Sequence, residues 1–316
     1  MTAAERAAEV RPVRVRHRVE YVCLRAAVAL FSALPIAWAA RVGAWIGSLL
    51  YLVDARDRRV ALFNLAIAFP EKSLAERKGI LRASCRNLGR LAAEFCHLPR
   101  LTAADLSELL TFDDRATWER LMAMRQSRGV VVVTAHLGNW ELLVYAQALW
   151  GYPVAIIHRT LGNPLVDNWV TAMRQSVRTR ILRKKAAARE ALRVLREQGI
   201  LAITPDQNQT ASFGVFVDFF GKAACTTPGV ARLAMQTGAA VIPVFIVREG
   251  ESARHRVIVL PEIEMRTTGD RAADIVANTQ ACSDVVEAMI RQYPEQWIWF
   301  HKRWKTRPPG EAKLYV

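Results

Sequence analysis

Residues 129–143 read Gly-Val-Val-Val-Val-Thr-Ala-His-Leu-Gly-Asn-Trp-Glu-Leu-Leu, and this stretch decides the fold. Its four consecutive valines predict a strand buried on both faces, because β-branched side chains favour extended backbone and no polar residue alternates with them. The strand stops at His136, and the turn that follows leads into a helix over 140–150 with Asn139 as its N-cap. Such a strand–turn–helix unit lies at the carboxyl edge of an α/β sheet, where ligands bind.

His136 and Glu141 lie five residues apart across this turn, so the first helical turn can bring the carboxylate back towards the imidazole. A carboxylate on one ring nitrogen fixes the tautomer and leaves the other nitrogen free to take a proton from an alcohol. The motif contains no serine or cysteine nucleophile. The spacing therefore predicts a general base with its orienting group, and a purely structural histidine is the alternative that spacing alone leaves open.

The composition is that of a large, basic, folded chain. The 316 residues are 52% hydrophobic and 23% charged, with a net charge of +15, which suits one large domain and acidic partners. No nucleic-acid-binding motif accompanies the charge, so anionic membrane lipid or an acidic protein is the expected partner and nucleic acid is not. The five cysteines are scattered without a Cys-x-x-Cys pair, which indicates reduced, cytoplasmic chemistry without disulfides or zinc.

An apolar belt follows the basic N-terminus. Residues 26–40 and 42–53 carry no charge and are separated by Arg41. Neither half reaches the roughly 20 apolar residues of a spanning helix, and Pro35 indicates a turn. We therefore expect a membrane anchor in 1–56, either a tilted span or a helical pair in the interface, with a buried hairpin in a soluble protein as the alternative. The catalytic domain, 57–316, is then expected on the cytoplasmic side.

The second predicted strand, residues 153–158, also ends in polar residues. Arg159 follows directly, and Asn163 precedes Pro164, which suits the first turn of a new helix. Arg174 lies ten residues beyond that proline. Because a guanidinium fork matches two oxygens, both arginines are candidate clamps for a phosphate or an acyl carbonyl, and surface salt bridges are the alternative.

The third predicted strand, residues 200–204, ends at Asp206 and Gln207. The carboxylate of Asp206 is expected to orient one of the two arginines or to position an acceptor hydroxyl. Four phenylalanines in 213–220 suggest either the wall of an acyl groove or ordinary core. The basic run in 178–197 suggests either a solvated helix face or a contact for anionic lipid or acidic carrier protein.

The remainder of the chain continues the alternation of helices and strands. A fourth strand is predicted over 239–247, where Pro243 indicates an edge position or a bulge. A fifth strand is predicted over 256–260 and a long helix over 272–291. The predicted fold class is therefore α/β, with a mixed β-sheet flanked by helices.

Two motifs resemble a known family. His-Leu-Gly-Asn-Trp-Glu at 136–141 resembles the His-four-residues-acid motif of the glycerolipid acyltransferase superfamily. Tyr-Pro-Glu-Gln-Trp-Ile-Trp-Phe-His-Lys-Arg-Trp-Lys-Thr-Arg-Pro at 293–308 resembles the C-terminal signature of the late acyltransferases of lipid A biosynthesis. The three tryptophans of that segment, set among cations, suggest a membrane interface. A helix packed on the sheet by Trp297 and Trp299 is the alternative, and both can be true.

The resemblance implies transfer of a fatty acyl chain from acyl-acyl carrier protein, or acyl-CoA, to a hydroxyl of a lipid A precursor at the inner membrane. It implies no metal and no other cofactor. The catalytic residues that it implies are His136, Glu141, Arg174 and Asp206. The substrate-binding residues that we expect are Asn139, Arg159, Asn163 and Gln207.

Three other functions remain open from the sequence. Another glycolipid, such as a phosphatidylinositol mannoside, is an alternative acceptor for the same chemistry. A basic peripheral membrane protein without catalysis would also explain polar strand ends that bind lipid phosphates. A metal hydrolase built on His136, Glu141 and Asp206 is the most distant alternative, since the chain contains no His-Glu-x-x-His motif.

Overall fold

A computed structural model describes residues 12–124, 127–183 and 187–315 of the chain. Lys184 and Lys185, which belong to the basic run in 178–197, lie outside the described residues, as do the first arginines of the N-terminus. The predicted strand–turn–helix units all lie within them.

Five α-helices precede the first strand in the described residues, and helices and strands are interspersed after it. The helices are α1 (Val15–Ala33), α2 (Ile36–Val53), α3 (Ala55–Ala68), α4 (Leu74–Phe95), α5 (Ala103–Leu109), α6 (Arg115–Met124), α7 (Trp140–Leu149), α8 (Pro164–Ser176), α9 (Ala187–Arg196), α10 (Gly229–Thr237) and α11 (Arg271–Gln292). The strands are β1 (Leu110–Phe112), β2 (Val130–Val133), β3 (Val154–His158), β4 (Arg180–Arg183), β5 (Ile200–Ile203), β6 (Val215–Phe219), β7 (Lys222–Thr226), β8 (Ala240–Arg248) and β9 (His255–Val259).

The valine run forms the centre of the main sheet. This sheet has seven strands in the order β1-β9-β8-β2-β5-β3-β4, and β6 and β7 form a separate antiparallel pair. Within the main sheet only the β8–β9 pair is antiparallel among the described strands. Val131 and Val133 belong to one apolar cluster, and Val130 and Val132 belong to another, so both faces of β2 are buried under helices. The predicted mixed α/β sheet flanked by helices is confirmed.

The sequence predicts Pro243 at a sheet edge or at a bulge. The edge position is wrong. Strand β8 lies inside the sheet, with β2 on one side and β9 on the other. Val133 pairs with Pro243, and Val244 pairs with Val259, so the proline lies where β8 passes from its pairing with β2 to its pairing with β9. Its carbonyl accepts a hydrogen bond from the amide of Leu260. A missing N–H is tolerated at such a change of partner.

The apolar belt forms two successive helices, α1 and α2, which are joined at the predicted turn at Pro35 and have few contacts with each other. We call these two helices together the N-terminal hairpin. Helix α2 is long and apolar enough to cross a membrane, judged by length and composition alone. Its small residues pack on α4, whereas its large residues Trp38, Trp45 and Leu49 are exposed on the other side. One face of α2 therefore belongs to the protein core, and the opposite face is an apolar surface open to a membrane.

Close packing of α2 on α4 depends on glycine. A Cβ placed on Gly89 would lie 2.0 Å from the carbonyl oxygen of Gly43, and one on Gly47 would lie 2.1 Å from the carbonyl oxygen of Cys85. Two glycines four residues apart let helices approach backbone to backbone, as they do in membrane helix pairs. The hairpin is therefore fixed to the catalytic domain by backbone contact.

This contact predicts unequal effects for two glycine substitutions in α4. We expect Gly89→Ala to lower the free energy of unfolding by about 3 kcal/mol, because the methyl group must push α2 away. Gly79→Ala is the matched control, since no atom lies within 4 Å of its added Cβ, and we expect a gain of about 0.5–1 kcal/mol there. Denaturant titration of the detergent-solubilised protein measures both. Equal stabilities for the two variants would contradict the close helix contact.

Candidate functional site: a histidine–aspartate pair at the sheet edge

The turn after β2 presents His136 at the carboxyl edge of the sheet. Gly138 has a φ of +60°, and a Cβ there would lie 1.9 Å from the carbonyl oxygen of Ile246, so the turn requires glycine. The side chain of Asn139 accepts a hydrogen bond of 3.0 Å from the amide of Leu142, which confirms it as the N-cap of α7. The imidazole of His136 is 23% exposed and therefore reachable from outside.

Asp206 is the carboxylate that contacts the imidazole. Its Oδ1 lies 2.9 Å from Nδ1 of His136, and its Oδ2 accepts hydrogen bonds from the His136 amide at 2.8 Å and from Nε1 of Trp297 at 2.9 Å. The pair forms because β5 is the sheet neighbour of β2, with Val133 opposite Ile203, so the segments after the two strands meet. Asp206 was expected to orient one of the two arginines, whereas its carboxylate contacts the imidazole ring of His136 directly.

The electrostatics of this pair follow from burial and mutual attraction. Burial alone would lower the pKa of His136, but the charge and hydrogen bond of Asp206 and the charge of Glu141 outweigh it and raise that pKa above its ordinary value of 6.5. Burial would raise the pKa of Asp206, yet its interactions with His136 and Trp297 hold it well below the ordinary 3.8. Asp206 is therefore ionised, Nδ1 of the neutral ring carries the proton, and Nε2 is left as the base.

Glu141 does not hold the ring, contrary to the expectation from its spacing. Its carboxylate accepts two hydrogen bonds from Arg174, one of them from Nε at 3.1 Å. The third guanidinium nitrogen of Arg174, Nη1, lies 3.0 Å from Nδ1 of His158, whose Nε2 lies 2.8 Å from Asp167. A bidentate arginine satisfies a carboxylate more fully than one ring nitrogen does, so Glu141 turns to Arg174 and acts on His136 through its charge.

Two asparagines that we expected to bind substrate have structural roles instead. The side chain of Asn139 is fully buried and donates to Glu94 at 2.7 Å. Asn163 caps α8 and donates to the carbonyl oxygen of His17 at 2.9 Å, which ties α8 to the N-terminal hairpin. Their amides are thus used by the protein itself, as N-cap positions commonly are.

The other two expected binding residues lie at the surface. Gln207 is exposed, and its amide nitrogen lies 3.4 Å from Nδ1 and 3.5 Å from Nε2 of His136, so it borders the base directly. Arg159 follows β3 and is exposed, without a hydrogen bond or ion pair to any residue in the described ranges. A role in binding remains a prediction for both.

Sequence reasoning missed the part that the C-terminal segment plays in the site. Trp297, Trp299 and Trp304 are all buried, so their expected position at a membrane interface is wrong. The predicted packing of Trp297 and Trp299 is confirmed, but residues 297–304 form no helix. The amide of Gly138 donates to the carbonyl oxygen of Gln296, and Trp297 holds Asp206. The segment therefore supports the turn that carries His136. Its motif at 293–308 was the sequence feature that indicated a functional role.

The expected acyl groove of phenylalanines is divided between core and surface. Phe219 and Phe220 are buried and pack on tryptophans of the C-terminal segment. Phe213, in the loop that follows Gln207, is exposed, and Phe216 is half-buried. Of the four phenylalanines, Phe213 and the accessible part of Phe216 are open to an acyl chain.

The charge of Glu141 gives a testable effect on pH dependence. Glu141→Gln keeps a side chain that can bind Arg174 but removes one of the charges that raise the pKa of His136. We expect the acidic limb of the kcat/KM profile to move to lower pH, with a loss of about tenfold at the plateau. Glu190→Gln, on the solvated helix α9, is the control and should leave the profile unchanged. An unshifted limb in Glu141→Gln would contradict the electrostatic role.

Known proteins resemble this chain over most of its length. A family model described as bacterial lipid A biosynthesis acyltransferase matches residues 12–306. The lipid A biosynthesis palmitoleoyltransferase of Escherichia coli (strain K12) is 28% identical over 276 residues, 87% of each chain. The lipid A biosynthesis lauroyltransferase of the same organism is 26% identical over 285 residues, 87% of this chain and 88% of that one. The phosphatidylinositol mannoside acyltransferase of Mycolicibacterium smegmatis is 31% identical over 231 residues, 71% of this chain and 72% of that one.

The family model covers the strand–turn–helix unit, the strands that neighbour it and most of the C-terminal segment that braces it. The resemblance stated from the motifs at 136–141 and 293–308 is thereby confirmed. This chain belongs to the bacterial lipid A biosynthesis acyltransferase family.

Proposed function

We propose that this acyltransferase moves a fatty acyl chain from acyl-acyl carrier protein to a hydroxyl of a lipid A precursor. The observation that carries the proposal is the His136–Asp206 pair at a sheet edge, in a chain of this family. An imidazole whose far nitrogen is an unprotonated base suits an alcohol acceptor. The named relatives that act in lipid A biosynthesis support the acceptor class.

In the proposed mechanism, Nε2 of His136 takes the proton of the acceptor hydroxyl. The alkoxide oxygen attacks the thioester carbonyl, the carbon–sulfur bond breaks, and the thiolate leaves with the proton that the imidazolium returns. Asp206 stabilises the imidazolium while it exists, because its charge lies against Nδ1. Transfer is direct, since neither a serine nor a cysteine lies in the 134–141 turn.

Arg174 and Arg159 have different proposed roles. Arg174, held by Glu141 and His158, is a fixed guanidinium group, and its proposed role is to stabilise the negative charge that develops on the carbonyl oxygen. Arg159 is exposed at the end of β3 and suits a phosphate group of the acceptor. No other described residue forms a hydrogen bond with the guanidinium group of Arg159. This group is therefore available to bind an incoming ligand.

The exposed apolar face of α2 supports an inner-membrane location. Trp45 on this face is 79% exposed, and burying such a side chain in lipid is favourable. We propose that the hairpin anchors the catalytic domain on the cytoplasmic side, where acyl carrier protein is available. In this proposal the membrane anchor ends near residue 56. One of its helices, α2, also packs on α4 of the catalytic domain.

A transfer assay with purified protein tests the proposal. The donors are radiolabelled acyl-acyl carrier protein and the matching acyl-CoA, and the acceptors are a tetra-acylated lipid A precursor and a phosphatidylinositol mannoside. We expect label in the lipid A precursor with the carrier-protein donor. Label in the mannoside alone would favour the second acceptor, which the 31% identical relative makes a specific alternative. Absence of transfer to both acceptors from both donors would contradict the proposed function.

A further inference from the structure

A second site lies between the hairpin and the catalytic domain. An open cleft of about 830 Å³ is lined by α2, by α4 and by the turn between β8 and β9. None of the residues that line it belongs to the His136 site. Its lining contains three arginines, Arg41, Arg86 and Arg90, against two carboxylates, Glu249 and Glu251, and Trp45 also lines it.

The arginines of this cleft are incompletely neutralised. A single carboxylate oxygen of Glu251 serves two of them, at 2.6 Å from Arg86 and 3.2 Å from Arg90. The side chain of Arg90 is 7% exposed, and its Nε is buried without a hydrogen-bond partner among the described residues. Arg41 contacts the ring of Trp38 and forms no ion pair with another described residue. A buried guanidinium nitrogen without a partner favours an added anion.

The occupant that fits these groups is a phosphate. Two or three guanidinium groups around one space match the several oxygens of a phosphate better than they match one carboxylate. Glu251 is 68% exposed, so it can leave the arginines for solvent when a stronger anion arrives. The carboxylate oxygen of Glu251 that contacts both arginines thus occupies the position that phosphate oxygens would take.

The surroundings indicate that the phosphate belongs to a lipid. Trp45 lines the cleft and is at the same time exposed on the apolar face of α2, together with Ile46 and Leu49. A lipid whose acyl chains lie along this face has its headgroup at the level of the cleft. We propose that the cleft binds the phosphate group of a membrane lipid, apart from the catalytic site. Bound there, the lipid joins α2 to α4 and fixes the domain against the membrane surface.

Calorimetric titration of the full chain in a zwitterionic detergent tests this proposal. The probes are short-chain phosphatidic acid, inorganic phosphate and short-chain phosphatidylcholine. We expect saturable binding of phosphatidic acid, with inorganic phosphate at least about tenfold weaker, because only the lipid also contacts the apolar face. Equal affinities for phosphatidic acid and inorganic phosphate would overturn the lipid assignment. Absence of saturable binding would overturn the site.

Substitutions separate the cleft from general charge. Arg86→Ala is expected to weaken phosphatidic acid binding about tenfold, because one charge-assisted contact is lost. Arg86 is 42% exposed, so this variant is expected to fold. Glu251→Gln is expected to tighten binding severalfold, since the competing carboxylate loses its charge. Arg193→Ala, on the exposed face of α9, removes the same charge elsewhere and should leave the affinity unchanged.

Two results would contradict the proposal. Equal weakening by Arg86→Ala and Arg193→Ala would mean that net charge, and not the cleft, attracts the lipid. Unchanged or weaker binding in Glu251→Gln would mean that the arginines are not available to a phosphate. Because the readout is binding and not acyl transfer, either result leaves the proposed catalytic function untouched.

Discussion

Replacing His136 by alanine is expected to lower the rate of acyl transfer at least about 10³-fold, because the acceptor hydroxyl loses the base that takes its proton. The imidazole is partly exposed and contributes little to the core, so the fold should survive. The measurement is single-turnover transfer of label from acyl-acyl carrier protein to the lipid A precursor. Circular dichroism of the same sample checks that the protein is folded.

His136→Gln is the shape-conserving companion of this variant. Glutamine can keep a hydrogen bond to Asp206 but offers no basic nitrogen, so we expect a loss similar to that of alanine. Retention of most of the wild-type rate in both folded variants would remove His136 from the mechanism. A transfer rate close to wild type in His136→Gln but not in His136→Ala would mean that the side chain has only a structural role.

Replacing Asp206 by asparagine has the second largest expected effect, a loss of about 10²–10⁴-fold in kcat, because the ring is no longer fixed in the correct tautomer. Asp206 also raises the pKa of His136, so its removal leaves burial to lower that pKa. Since protonation of the base stops catalysis, we expect the acidic limb of kcat/KM in the natural protein to follow the raised pKa of His136. In Asp206→Asn this limb should move to lower pH.

A matched control distinguishes this role from the cost of altering any buried carboxylate. Asp274 is likewise buried and accepts hydrogen bonds from the amide and hydroxyl of Thr268, away from the sheet-edge turn. Asp274→Asn should lower stability and leave kcat and its pH profile unchanged. If Asp206→Asn and Asp274→Asn reduced kcat equally, with no shift of the acidic limb, Asp206 would have only a packing role.

Local sequence patterns predicted the scaffold of the site well. The valine run, the glycine turn and the cap Asn139 depend on residues close in the chain, so their β-propensity, backbone and capping preferences decide the local structure. The convergence of three polar strand ends on one edge follows from parallel pairing of β2, β5 and β3. This pairing brings His136, after β2, and Asp206, after β5, to the same edge.

The partners of individual side chains were not predictable from such patterns. Glu141 is close to His136 in sequence, but the ring selects Asp206, 70 residues away, because sheet order brings β5 beside β2. Trp297 reaches the same carboxylate from 91 residues away. Its surroundings of cations suggested a membrane surface, whereas the tertiary structure buries its ring and uses its N–H. Such choices depend on long-range packing that one sequence does not reveal.

The glycine contact between α2 and α4 is a further feature that depends on long-range packing and was not predicted from the sequence. The apolar belt alone left a tilted span, an interfacial helical pair and a buried hairpin open. The close approach of Gly43 and Gly89 joins one face of α2 to the catalytic domain and leaves the other face apolar and exposed. Both the exposed apolar face of α2 and the arginine cleft beside it result from this docking.

The most direct test of the central claim is the protonation of the His136 ring itself. The measurement is a ¹⁵N NMR spectrum of protein labelled at its six histidines, in which the His136 signals are assigned by their loss in His136→Gln. Above the raised pKa, the account predicts a proton on Nδ1, against Asp206, and an unprotonated Nε2. A neutral ring that carries its proton on Nε2 would contradict it.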